Sequence, residues 1–74
     1  MGEAMSFQPG DLVCLFCKDR IYGVDPYQVG YYPELTDVFI VLELETDNPN
    51  HPWYNVLSFR GVFNVQGDSL MKLT

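Results

Sequence analysis

Basic residues are scarce in this 74-residue chain: Lys18, Arg20, Arg60 and Lys72 face ten carboxylates, for a net charge of −6. Between Arg20 and Arg60 there is no lysine or arginine, whereas Asp25, Glu34, Asp37, Glu43, Glu45 and Asp47 all fall there. Nucleic-acid binding draws much of its free energy from cations that displace counterions on phosphates, so this balance argues against it. No apolar run approaches the ~18 residues that cross a bilayer, and the N-terminus lacks the basic stretch and apolar run of a signal peptide. The expected setting is therefore neither secreted nor membrane-embedded. There is one histidine, His51, and there are two cysteines; internal repeats, low-complexity segments and a phosphate-cradling glycine loop are lacking.

Apolar side chains are plentiful. They make up 47% of the chain, and one Trp, five Tyr and five Phe are among them, too many for a segment that stays unfolded. A domain of this size buries only about 60% of the surface its unfolded chain exposes, so its stability margin is thin. Prolines and glycines spread singly between apolar runs favour short strands and turns over a helical bundle. The expected layout is an N-terminal arm, residues 1–6, followed by one all-β domain, residues 7–74.

Pro9-Gly10-Asp11 is a turn signal, because Pro sets φ for the turn and Gly accepts the positive φ that can follow. Leu12 to Cys17 comes next. With side chains alternating between faces, Leu12, Cys14 and Phe16 on one and Val13, Leu15 and Cys17 on the other make that strand apolar on both. From Lys18 to Asp37 regular periodicity stops, and Gly23, Asp25-Pro26, Gly30 and Pro33 are interleaved with tyrosines; this predicts one long, ordered loop. Val38 to Leu44 is the clearest strand. Its Val38, Ile40, Leu42 and Leu44 face is expected in the core, which leaves Phe39 and Val41 on the opposite face with Glu43 and Glu45. The polar stretch Asp47 to Pro52 leads into a strand from Trp53 to Phe59, and Arg60-Gly61 turns that strand into Val62 to Gln66. Links this short imply antiparallel neighbours. Gly67-Asp68-Ser69 is predicted as a single helical turn before a last strand, Leu70 to Leu73.

Taken together, Pro9-Gly10-Asp11-Leu12-Val13, the Val38 to Leu44 strand, Trp53-Tyr54-Asn55-Val56-Leu57 with Gly61, and Leu70 to Leu73 resemble the small SH3-like barrels encoded by tailed bacteriophages, cyanophages included. The resemblance covers most of the chain. It implies an all-β, small five-stranded SH3-like barrel, elaborated here by a long, tyrosine-rich first loop. It also implies a non-enzymatic protein–protein interaction module in the host cytoplasm or the virion, acting as a virion structural component or as a binder of a host factor. Similar short motifs occur in ribosomal and transcription-factor barrels. The alternative is thus a nucleic-acid- or ribosome-associated barrel of the KOW type, which would need Lys18, Arg20, Arg60 and Lys72 on one face.

Catalytic, cofactor and metal sites are not expected. Cys14 and Cys17 have C-x-x-C spacing, but residues three apart on a strand point to opposite faces, and only His51 is at hand beyond carboxylates. Both are read as buried structural cysteines that form no disulfide. His51 is read as a solvated loop residue, Ser6, Ser58 and Ser69 have no neighbouring base in sequence, and Glu43 and Glu45 are read as a solvated strand edge. The candidate partner-binding residues are Tyr22, Tyr27, Tyr31, Tyr32, Phe39, Val41 and Trp53. The tyrosines and Trp53 resemble the aromatic rim that SH3-type domains use for proline-rich peptides, and acidic residues beside it would steer a basic segment. In the competing reading the tyrosines close an open end of the barrel. Phe39 and Val41, beside Val13, Leu15 and Cys17, would form an exposed apolar patch of the kind that marks interfaces, covered by another protein, by a second copy of the chain or by the long loop.

Overall fold

The computed structural model describes residues 6–46 and 50–73. Gly10 sits at φ 93°, in the left-handed region that side-chain-bearing residues rarely adopt, and its turn is closed by Asp11: the Asp11 N–H donates to the Gln8 carbonyl at 3.0 Å while the Asp11 carboxylate accepts from the Gln8 N–H at 2.8 Å. The chain leaves that turn as β1 (Leu12–Leu15). There follow β2 (Tyr22–Gly23), β3 (Phe39–Thr46), β4 (Trp53–Ser58), β5 (Gly61–Gln66), a 3-10 turn (Gly67–Ser69) and β6 (Leu70–Lys72). All pairings are antiparallel, in the order β2-β5-β4-β3-β1-β6. The protein is all-β, with six strands where five were expected; the additional one, β2, is a two-residue strand inside the long loop. No pairing among the described residues joins β2 to β6, so the sheet is open at those two edges. Among the described residues no helix is long and apolar enough to cross a membrane. The expected arm lies, apart from Ser6, outside the described residues, as do positions 47–49 of the polar turn.

The long loop is ordered by its own backbone. Ile21 and Tyr31 exchange two backbone hydrogen bonds, at 2.9 and 3.1 Å, which close a narrow neck. Inside it the Asp25 carboxylate accepts from the Tyr27 N–H at 2.8 Å, and beyond it Asp37 accepts from the Glu34 N–H at 3.1 Å, both of which are turn-forming bonds typical of aspartate. At its start, the Ser69 hydroxyl donates to the Asp19 carboxylate and ties the loop to the 3-10 turn.

Eleven buried side chains form the core: Phe7, Val13, Leu15, Ile21, Phe39, Val41, Tyr54, Val56, Phe63, Val65 and Leu70. The parity of β3 is the reverse of the one expected. Phe39 and Val41 are 0% and 1% exposed, whereas Val38 and Ile40 are 52% and 38% exposed and Leu42 and Leu44 also face solvent. Register explains the reversal. Val13 lies opposite Phe39, Val41 opposite Val56, and Val56 opposite Phe63, and side chains directly opposite share a face. On β5 that face holds Phe63 and Val65 while Asn64 and Gln66 alternate onto the other, so β5 decides which side is dry and the paired strands follow. The pairing of β3 with β4 shifts between Val41 and Glu43 and again between Leu44 and Thr46, and Leu44, opposite Tyr54, remains exposed. The expected apolar patch of Val13, Leu15, Phe39 and Val41 is therefore core, and only Cys17 of that set is exposed, past the end of β1.

Candidate functional site

With the first face of the sheet buried, its outer face carries the leftover apolar residues, and register lines them up. Leu12 lies opposite Ile40, Ile40 opposite Leu57, and Leu57 opposite Val62. The Leu73 N–H donates to the Leu12 carbonyl at 2.9 Å and continues the row past β6. Leu73, Leu12, Ile40, Leu57 and Val62 thus form one band across β1, β3, β4, β5 and the residue after β6, and all but the half-buried Val62 are exposed. One step along β1, Cys14 lies opposite Met71 on the same face. At the β5 end, Val62 also lines an open depression of about 450 Å³ with Val24, Asp25, Pro26 and Gln28.

The next row on this face is polar. Glu43 lies opposite Asn55, Asn55 opposite Asn64, and Asn64 opposite Tyr22. Asn64 Nδ2 donates to Asn55 Oδ1 at 3.1 Å, and Asn55 Nδ2 donates to a Glu43 carboxylate oxygen at 3.0 Å. Asn55 is buried, and this network satisfies it. The apolar band consequently has a rigid polar border on one side.

The expected aromatic set divides into three. Tyr22 and Trp53 do meet, with ring centroids 5.9 Å apart, beyond the polar row. Tyr31 packs edge-on against Phe63 at 5.2 Å and is covered from outside by the Arg60 guanidinium, 4.1 Å above its ring. Tyr27 and Tyr32 project from the loop into solvent, Tyr27 at 93% exposure. Phe39 and Val41 lie in the core and cannot touch a partner in the folded state. The tyrosines therefore do not converge as one rim: Tyr31 closes the core, Tyr22 braces Trp53, and Tyr27 and Tyr32 are surface residues.

Tyr31 also carries a defect. Its hydroxyl is buried with no hydrogen-bond partner among the described residues, a state that costs about 1–3 kcal/mol relative to a satisfied group. Tyr31→Phe keeps the ring on Phe63 and removes the orphan, so the variant is expected to be more stable by about 1 kcal/mol, read as a higher urea midpoint with an unchanged slope. A lower midpoint would mean that the hydroxyl is engaged.

None of the four basic side chains is left unengaged. Lys72 Nζ is 3.5 Å from Asp11 and Lys18 Nζ 4.0 Å from Glu34, while Arg20 and Arg60 lie over the rings of Tyr22 and Tyr31. Exposed His51 sits with Nδ1 3.1 Å from Asp68. Cys14 is buried and Cys17, expected buried, is exposed; neither is bonded to the other. No group of three or more His, Cys, Asp or Glu able to hold a metal occurs among the described residues. Comparisons with protein-family models, curated proteins and solved structures found no match.

From the sequence, Ile40 of the outer band is expected in the core and the exposed apolar patch on the opposite face, at Val13, Leu15, Cys17, Phe39 and Val41. The signal was present on β5, where Asn64 and Gln66 mark the wet face, but it reaches β3 only through pairings that the sequence does not display.

Proposed function

We propose that this chain is a non-enzymatic protein-interaction module of the SH3-like kind, whose partner docks over the outer face of the sheet rather than on the tyrosine loop. One observation carries this reading: Leu73, Leu12, Ile40, Leu57 and Val62 line up as one apolar band across the outer face of the sheet, and the four leucine and isoleucine side chains keep 37–43% of their surface in solvent. Apolar side chains gathered into one exposed patch are often functional and tend to mark interfaces. The strand order β6-β1-β3-β4-β5, the short turn between β4 and β5 and the 3-10 turn before β6 support the SH3-like assignment. The resemblance to phage-encoded barrels supports a virion subunit or a host factor as the partner. A nucleic-acid partner is disfavoured because four basic residues stand against ten acidic ones, too few to displace counterions from a phosphate backbone.

Magnitudes limit what the band does by itself. Burying a large aliphatic side chain completely is worth about 1.5–3 kcal/mol, and these are already more than half covered, so each adds roughly 1 kcal/mol. A few such residues only match the low end of the association cost, about 4 kcal/mol. The band places a partner, and further contacts must hold it.

The neutral dye Nile red tests the face without a partner. The folded chain is expected to bind it, and Ile40→Thr/Leu57→Thr is expected to lose that binding by fivefold or more while still unfolding cooperatively, at a transition lowered by roughly 5–15 °C. A folded parent that leaves the dye dark would refute the docking face.

A further inference from the structure

The charges around the apolar band identify its occupant more closely. We infer that it is a cationic amphipathic segment of another protein, with apolar side chains alternating with lysine or arginine; this rests on the outer face being a docking surface. Asp25, Asp37, Glu43 and Glu45 have no cationic partner among the described residues. Asp25 lines the depression that adjoins Val62 at one end of the band. Glu43 stands in the polar row that borders the band, Glu45 lies two residues further along β3, and Asp37 lies two residues before Phe39, the first residue of that strand. Asp25 and Glu43 thus set carboxylates without a cationic partner at the β5 end of the band and along its polar border. A second copy of the chain would bring its own net charge of −6 against the same rim, which argues against self-association. A basic segment gains from that rim both in steering and in the contacts that the band alone is too small to supply.

Five neighbouring chain segments about 4.8 Å apart make a band of roughly 19 Å, and an extended ten-residue peptide at about 3.3 Å per residue covers it and reaches the acidic groups beyond. Two ten-residue probes, alternating Leu–Lys and alternating Leu–Glu, carry the same leucines with opposite charge. By fluorescence anisotropy on the intact chain, Leu–Lys is expected to bind at least tenfold tighter than Leu–Glu and to weaken with added salt. Asp25→Asn/Glu43→Gln keeps the acceptor oxygens used by the Tyr27 N–H and by Asn55, and is expected to weaken Leu–Lys three- to tenfold. Leu57→Asp adds a negative charge yet removes apolar contact, and is expected to lose Leu–Lys binding tenfold or more. Should that variant fail to fold by circular dichroism, Leu57→Thr is read instead, with a fivefold loss expected.

Equal binding of both probes would overturn the cationic occupant and leave the docking face standing. Tighter Leu–Lys binding by Leu57→Asp would overturn both, since the contact would then be charge alone. A chain that binds neither probe but dimerises in light scattering, with dimers lost in Leu57→Asp, would make a second copy the occupant. A monomer that binds neither probe would overturn both readings.

Discussion

Phe39→Ala is expected to remove about 3–5 kcal/mol of stability, the usual cost of deleting a fully buried aromatic ring and leaving its cavity. For 74 residues, at about 0.05–0.15 kcal/mol each, total stability is roughly 4–11 kcal/mol, so this single change takes about a quarter or more of it and in the lower range unfolds the chain. The ring is 0% exposed, opposite Val13 on β1, and sits in the row that continues the buried face of β3. Its neighbour supplies the control. Ile40→Ala, on the outer face, is expected to cost about 1–2 kcal/mol, because the side chain is already partly in water and leaves no closed cavity. Urea unfolding of the two variants reads the parity of β3 directly. An Ile40→Ala cost above that of Phe39→Ala would put the outer band inside and end the docking account.

Gly30→Ala is expected to be the second most damaging change, at about 2–3 kcal/mol, the cost of forcing a methyl into filled space. A Cβ at this position would fall far inside contact distance of the Ile21 carbonyl oxygen and 3.1 Å from Arg20 Nε. That carbonyl accepts the Tyr31 N–H and closes the neck of the long loop, and Ile21 itself is fully buried. Neither backbone can retreat without opening the neck or lifting Ile21 from the core. Gly10→Ala separates crowding from backbone strain, since nothing lies within 4 Å of a Cβ there and only the φ of 93° opposes it. Its cost is expected at about 1 kcal/mol. Equal costs at the two glycines would mean that the loop neck is not held as tightly as its hydrogen bonds imply.

The strands themselves were legible because their signals are local. β-branched residues at Val38 to Leu44, the Arg60-Gly61 turn, the Gly67-Asp68-Ser69 turn and the Pro9-Gly10 start each act through neighbouring residues, and the expected elements fall within two residues of their expected ends; β2 alone was not expected. The inside and outside of β3 were not legible, because both of its faces are apolar and four exposed aliphatics outnumber Phe39 and Val41. Only the pairing to β4 and onward to β5 carries the polarity of Asn64 and Gln66 across to it. The tyrosines misled for a related reason. Composition places them in one loop, but Tyr31 turns in against Phe63 and the exposed Tyr22 turns towards Trp53, leaving Tyr27 and Tyr32 projecting on their own. The excess of apolar residues was visible throughout; its address was a matter of register.

The central claim is that partners meet the outer band and not the tyrosine loop. The most direct measurement is the methyl spectrum of the folded chain during titration with the alternating Leu–Lys peptide. The account predicts shifts at the methyls of Leu12, Ile40, Leu57 and Leu73, with those of Val13, Val56 and Val65 in the core nearly still. Shifts confined to the loop, at Val24 and Val29 beside Tyr27, with Ile40 and Leu57 unmoved, would contradict it.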